Sequence, residues 1–278
     1  MSKDIIDRII HFINSSGREV VPIIGTPGSG KTFFLASLTK WVLEKIDKPE
    51  KVFLQGREYL YNLAVRYSSI EVNPSDRIIT NPLIERNVPT ETIDDDLLEI
   101  LLRITYNNSQ KNSFDLFTID GPGEILVKHP EILSAMIKNL RGLIFLVDVI
   151  GDTPNVKKID WNEVTNNAIH SVYSLAEVIE DELREDTPIA LVVTKWDRFL
   201  TLDGFKDEKQ REISWDKISA RLRNIYSPLI KQHKVDVFLH SSIGVYSNFD
   251  EAFKNNQEVF PFPMGIEPIL QYCIGKNK

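Results

Sequence analysis

The run from Glu19 to Ile46, EVVPIIGTPGSGKTFFLASLTKWVLEKI, constrains this chain more than any other stretch. An apolar segment, Val20 to Ile24, leads into Gly25-Thr26-Pro27-Gly28-Ser29-Gly30-Lys31-Thr32 and then into a helical pattern. This is GxxxxGK[ST] with a strand before it and a helix after it, the context in which the motif has a mechanism. Gly25, Gly28 and Gly30 let the backbone curl until its N–H groups face an anion. A helix beginning near Lys31 aims the positive end of its dipole at the same place. The Lys31 ammonium would reach the β- and γ-phosphates of a nucleoside triphosphate, and the Thr32 hydroxyl would hold Mg2+. The anion-binding set therefore runs from Gly25 through Thr26, Pro27, Gly28, Ser29, Gly30, Lys31 and Thr32 to Phe33. A plain glycine-rich turn with a surface lysine would not need flanks this regular.

A chain of 278 residues with 42% hydrophobic content can bury a large core, as one enlarged domain or two small ones. Its 33 basic and 40 acidic residues leave a net charge of −7, which gives no broad electrostatic footprint for nucleic acid. A single cysteine, Cys273, has no partner for an internal disulfide, which fits a reducing compartment. The N-terminal MSKDIIDRIIHF mixes charge with apolar residues too early for a signal sequence, and no apolar run approaches about 18 residues. A cytoplasmic protein with no membrane segment is expected.

Residues 3–16 place Ile5, Ile6, Ile9, Ile10 and Ile13 at helical spacing, so residues 1–18 read as a packed N-terminal helical extension, with a partner-docking helix as the alternative. Its polar face mixes Asp4, Asp7, Arg8 and His11, unlike the basic face of a membrane-surface helix, and His11 reads as solvated. After the phosphate-binding loop the helix continues through Trp41 and Ile46 until Pro49 closes it off. KVFLQ suggests a short strand, but the rest of residues 51–88 shows little order, and three prolines in NPSDRIITNPLIERNVP argue for loop. Order returns with two apolar runs flanking the polar cluster Asn107 to Ser113, which predict a β-hairpin ending at Asp120-Gly121-Pro122-Gly123. Downstream, the pattern predicts a helix over Pro130–Leu140, a buried strand GLIFLVDV, a helix over Trp161–Leu183 and a buried strand PIALVVTKWD. A helix ISWDKISARLRNIYSPLIKQH, a strand VDVFLHSS and a closing helix GIEPILQYCIG complete it. Strands alternating with helices predict an α/β fold: a mostly parallel sheet with one antiparallel hairpin strand and helices on both faces. Residues 19–278 then form one domain, with a long insertion at about 48–92.

Three further constellations end predicted strands, where open α/β sheets bind ligands. Asp120 would hold Mg2+ directly or through water, and the Gly123 N–H can approach a γ-phosphate because no side chain projects from its α-carbon. In Thr194-Lys195-Trp196-Asp197, the Asp197 carboxylate can accept from guanine N1–H and the exocyclic amine, a donor pair adenine lacks. The Lys195 stem can lie over the base while its head stays near solvent. Ser241-Ser242-Ile243 supplies small residues and backbone N–H groups that can meet the guanine O6. Asp94-Asp95-Asp96 reads as a solvated run, and no Cys/His spacing suggests zinc.

Four such motifs in this order resemble the Ras-like and translation-factor superclass of P-loop GTPases (TRAFAC), over about residues 20–275. Within it the chain is similar to bacterial GTPases of the double-GTPase type: a long segment before the hairpin, DGPGE followed by VDV, and a closing EPIL helix. The resemblance implies a G-domain that binds GTP and GDP with Mg2+, hydrolyses GTP, and signals to a protein effector or activator, or to a second GTPase, through its switch loops. It also implies a switch threonine closing over Mg2+ and the γ-phosphate. Thr90, following Pro89, matches the family's pattern, with Thr92 and Thr80 as rivals. The implied catalytic set is Lys31, Thr90, Gly123 and Glu124, and the implied metal set is Thr32, Thr90 and Asp120.

Two positions depart from the family. Glu124 stands where many relatives carry a Gln or His that positions the attacking water, so slow intrinsic hydrolysis is expected. Gly28 stands where cation-activated relatives carry Asn, so nothing argues for potassium activation. The leading expectation is a Mg-dependent GTP-hydrolysing switch. A GTP-held binding module with negligible hydrolysis and an ATP-using P-loop enzyme such as a kinase are the alternatives.

Overall fold

The computed structural model describes residues 3–15, 19–25, 29–45, 52–54, 71–73, 78–80, 102–104, 114–118, 129–138, 140–148, 162, 166, 183, 186–196, 208–227, 234–241 and 265–274. The elements in chain order begin with α1 (Lys3–Ser15), β1 (Glu19–Gly25), α2 (Lys31–Lys45) and β2 (Val52–Leu54). Next come β3 (Glu71–Asn73), β4 (Ile78–Thr80), β5 (Leu102–Ile104), β6 (Phe114–Thr118), α3 (Pro130–Ile137) and β7 (Leu143–Val147). The chain closes with β8 (Pro188–Val193), α4 (Glu208–Ile225), β9 (Lys234–Leu239) and α5 (Ile266–Ile274).

Five strands form the main sheet in the order β6-β1-β7-β8-β9, and every described pairing within it is parallel. A parallel ladder needs crossover connections, and these place helices on its faces. Alternation along the strands then sorts the core into two layers. Val21 and Ile23 of β1, Ile144 and Leu146 of β7, and Ala190 and Val192 of β8 face α2 and α5. Ile24, Phe145, Val147, Leu191 and Val193 face the opposite way, toward Ile218 and Leu222 of α4 and Tyr226 just past its end. Val20 shares that second face and meets Ile6, Ile9 and Ile13 of α1 together with Ile132, Leu133 and Met136 of α3.

Each helix buries the stripe its sequence dictates. In α5, Ile266, Ile269, Leu270 and Cys273 recur at i, i+3, i+4 and i+7, and Pro268 sits in the first turn, where a missing N–H costs nothing. Helix α2 is apolar over its first turns: Phe34, Leu35 and Leu38 are fully buried, each worth about 1.5–3 kcal/mol of apolar burial. The interleaved Ser37 and Thr39 are buried too, and satisfy their hydroxyls by donating back to the carbonyls of Phe34 and Leu35, both at 2.8 Å. The Cys273 thiol, under α5, is pushed up to about 12 by burial, so it is inert as a nucleophile near neutral pH.

The observed elements follow the expected order with three differences. The hairpin runs supply β5 and β6, but the hydrogen-bonded partner described for β5 is β2, antiparallel in a separate two-stranded sheet, while β5 also lies beside β6. An antiparallel strand is thus not among the main-sheet strands described. Second, Ile78–Thr80, in a segment where prolines argue for loop, pairs antiparallel with Glu71–Asn73. Third, α4 begins at Glu208 rather than Ile213, because EKQRE consists of good helix formers with no apolar period to announce it. Of the helix expected over Trp161–Leu183, Asn162 and Asn166 are helical and exposed, and most of the remainder lies outside the described residues.

Gly265 starts α5 with φ +84, a left-handed conformation, and a Cβ there would lie 2.0 Å from the Leu239 carbonyl oxygen. No rotamer relieves a backbone clash of that kind. Gly265→Ala is expected to lower unfolding stability by about 2 kcal/mol or more, read from the urea midpoint. Gly30→Ala, whose Cβ would meet nothing within 4 Å, keeps only the cost of its left-handed φ of +83 and is expected to lose about 1–2 kcal/mol.

Candidate functional site

Gly25 is the last residue of β1, and from it the chain turns into α2. A Cβ at Gly25 would sit 2.5 Å from Ser29 Oγ and 2.9 Å from the Leu146 carbonyl oxygen, so the loop closes this tightly only because the position is glycine. Gly30 supplies the left-handed φ that turns the chain into α2, and its carbonyl accepts the Phe34 N–H at 2.8 Å. Lys31 opens α2, and its ammonium reaches back across the loop to donate to the Gly25 carbonyl at 3.0 Å. A half-buried cation therefore sits at the end of β1, beside the N–H end of a 15-residue helix. The arrangement fits an anion with several oxygens.

The neighbouring strand ends converge on this loop. Beyond β8, the Thr194 N–H donates to the Val147 carbonyl at 3.1 Å, which ties the end of β8 to the end of β7. The buried Thr194 hydroxyl donates to the Ser29 carbonyl at 2.8 Å, joining the loop after β8 to the phosphate-binding turn. Lys195 follows in a left-handed conformation, φ 58, unusual for a residue with a side chain. Its ammonium donates to the Asp148 carboxylate at 2.6 Å, just past the end of β7. The Trp196 N–H donates to the His240 carbonyl at 3.2 Å, and the His240 N–H donates to the Val193 carbonyl at 2.8 Å. The loops after β8 and β9 are thereby stitched together beyond their strands.

Two aromatic contacts fix these loops to the helices. The Trp196 indole packs edge-on against Trp215 of α4, with ring centroids 5.7 Å apart. The buried His240 ring lies edge-on to Phe34 of α2 at 4.7 Å, and its Nε2 is 3.4 Å from the Ser37 hydroxyl.

Of the residues the sequence singles out, Gly25, Ser29, Gly30, Lys31, Thr194, Lys195 and Ser241 come together at the carboxyl edge of the sheet. Ser241 is buried immediately after His240. Thr32 and Phe33 lie in the first turn of α2, and Phe33 is partly buried and packs against the core. Thr26, Pro27, Gly28, Thr90, Asp120, Gly123, Glu124, Asp197, Ser242 and Ile243 lie outside the described residues. The expected donors for a divalent cation, a threonine hydroxyl and a carboxylate, are hard oxygens suited to Mg2+. Among the described residues no group of three or more His, Cys, Asp or Glu forms a metal cluster, and no helix is long and apolar enough to cross a membrane.

Sequence reasoning did not single out Asp148 or His240. Asp148 carries a signal in retrospect, a lone carboxylate closing a run of five buried apolar residues. His240 carries none, because its partners Phe34 and Ser37 are some two hundred residues away.

A family model described as Double-GTPase 2 matches residues 19–251. No curated protein matches the chain. Among solved structures, the signal recognition particle receptor SRb-GTP/SRX complex from Chaetomium thermophilum is similar at 17% identity, with 85% of this chain and 96% of that chain covered and a TM-score of 0.39. The GTPase-like domain of S. cerevisiae Ski7, bound to GTP, is similar at 16% identity, with 82% and 44% covered and a TM-score of 0.42.

The Thr194 hydroxyl links the loop after β8 to the phosphate-binding turn. Thr194→Val keeps the volume but leaves the buried Ser29 carbonyl without that donor, and is expected to cost about 1–3 kcal/mol of stability by denaturant titration. Thr194→Ser retains the donor and is expected to recover most of that loss.

Proposed function

The chain belongs to the Double-GTPase 2 family of P-loop GTPases, and from that premise we propose that it is a Mg-dependent GTP switch with slow intrinsic hydrolysis. The observation that carries the reading is the Thr194–Ser29 hydrogen bond. It couples the loop that the sequence assigns to the base with the loop it assigns to the phosphates, so one ligand spanning both would be held by a single preformed edge.

In this reading the Lys31 ammonium exchanges the Gly25 carbonyl for phosphate oxygens, trading a neutral acceptor for a charged one. The N–H groups at the start of α2 add a fixed dipole that costs no reorganisation when charge builds up on the phosphates. Lys195 lays its stem along one face of the base, and Asp197 reads the guanine edge. Mg2+, held by Thr32, Thr90 and Asp120, would supply neutralisation of the phosphate charge. Glu124 orients the attacking water, with its own negative charge close to the γ-phosphate as the reason for slow turnover. Loops around residues 76–92 and 121–130 present the nucleotide state to a protein effector or activator, or to a second GTPase. The protein works in the cytoplasm, as one G-domain over residues 19–278 behind an N-terminal helix.

The nucleotide released on denaturing the purified protein tests the reading first: a guanine nucleotide is expected, and adenine nucleotide alone would favour the ATP-using alternative. For Asp197→Asn, preference is expected to move from GTP toward XTP, because the amide offers a donor where the xanthine oxygen needs one. Unchanged GTP selectivity in competition binding would remove Asp197 from base reading.

Glu124→Ala is expected to lower single-turnover hydrolysis about tenfold or more with little change in GTP affinity, the mark of an interaction made mainly in the transition state. Equal rates for the Glu, Gln and Ala forms would point to the GTP-held binding module instead.

A further inference from the structure

Beyond the residues that the family motifs assign, one pair at the site has its own chemistry. Asp148 is 7% exposed, one residue past the end of β7, and its carboxylate accepts from the Lys195 ammonium at 2.6 Å. Lys195 is two residues past the end of β8, in the left-handed region. Both termini of this bridge are fixed from below. Val147 pairs with Val193 in the ladder, and the Thr194 N–H donates to the Val147 carbonyl. From above, the Trp196 N–H is held by His240. The backbone of Lys195 is thus pinned on both sides, and the carboxylate pins the far end of its side chain.

A lysine stem normally samples many rotamers, and ordering it is a cost that a ligand must meet on arrival. Here the four-carbon stem is held between a fixed backbone and a fixed carboxylate before any ligand binds. The pair is largely shielded, with side-chain exposures of 21% for Lys195 and 8% for Asp148, so salt screens it less than a surface bridge. A hydrocarbon stem anchored at both ends offers an apolar strip to a flat ring. An anchored ammonium is also kept from swinging toward the phosphates, which leaves that role to Lys31.

We propose that Asp148 is a positioning residue for the nucleobase: by anchoring the Lys195 ammonium it preorganises the Lys195 stem as a platform for the purine face. This rests on the GTP reading above and deepens it. A platform is blind to the ring's edge substituents, so Asp148 should govern affinity for guanine and hypoxanthine bases alike. Asp197, by contrast, should separate the two.

The test compares GDP, IDP and inorganic tripolyphosphate in competition binding to the full chain. Asp148→Asn is expected to weaken GDP and IDP by a similar factor, about tenfold, and to leave tripolyphosphate within twofold. Asp148→Glu, which restores the charge, is expected to recover a measurable part of the loss. In a Lys195→Met background, which keeps an apolar stem without the ammonium, adding Asp148→Asn is expected to change nothing further. Equal loss for tripolyphosphate would show a general collapse of the edge and overturn the proposal, as would GDP affinity that is unchanged or improved. Should Asp148→Asn fail to fold, Lys195→Met alone carries the comparison: loss for GDP and IDP but not tripolyphosphate supports the platform, and no loss overturns it. A wild-type chain that binds tripolyphosphate but neither GDP nor IDP would instead overturn the GTP reading itself.

Discussion

A single buried hydroxyl, that of Thr194, holds the Ser29 carbonyl at 2.8 Å and makes one edge out of two loops. What makes this possible is the register of the parallel sheet. Val147 is opposite Val193, and Val193 is opposite Leu239, so β7, β8 and β9 end level with one another. Strands that end level deliver Asp148, Thr194 and His240 to the same height, where short side chains can bridge. In an open parallel sheet the strand ends carry unpaired backbone groups, and here several are consumed by the neighbouring loop: Thr194 N–H on Val147, His240 N–H on Val193 and Trp196 N–H on His240. The ladder is in effect extended past the strands by the residues that the site needs.

The helices hold this edge from behind by two different means. Helix α2 enters the core with contiguous burial from Phe34 to Thr39, which is tolerable only because Ser37 and Thr39 turn their hydroxyls onto their own backbone. That depth brings Phe34 against the His240 ring, so the helix that begins with Lys31 also braces the loop after β9. Helix α4 works from the opposite face, where Trp215 receives Trp196. A displacement of either helix would be felt at both ends of the site, since side chains in a close-packed core do not yield continuously.

The sequence made the turn from Gly25 to Lys31 and the string beginning at Thr194 legible because their signals are local. Gly25, Gly30, Lys31 and Thr194 owe their roles to neighbours within a few residues and to the strand each one ends. The buried strands β7 and β8 were readable for a related reason, since LIFLV and PIALVV are continuous apolar runs of the kind a doubly covered parallel strand requires. Three-residue strands carry too little periodicity to stand out from loop, so Glu71–Asn73 and Ile78–Thr80 were hidden among prolines. The pairing of β5 with β2 is a choice between distant segments, and nothing in either short run encodes it. Asp148 was hidden for the same reason: its partner lies 47 residues further on, and only the sheet brings them together.

Lys31 shows what kind of site this edge makes. Its ammonium already rests on the Gly25 carbonyl, so the loop holds its own cation in place through a neutral acceptor. A charge-assisted bond to phosphate is roughly twice as strong as one between neutral groups, so an incoming anion competes well for a donor that needs no search to find it. The same logic applies to Lys195, held by Asp148 at the other end of the edge. Both lysines belong to the rigid half of the site, and groups fixed in advance need no reorganisation as charge builds up on a bound phosphate. Uniform binding lowers the concentration of ligand needed without speeding the chemical step. In the reading proposed above, what Lys31 gives beyond uniform binding is stabilisation of that charge, and Glu124 and Thr90, with whatever partner completes them, would supply the rest of any acceleration of hydrolysis.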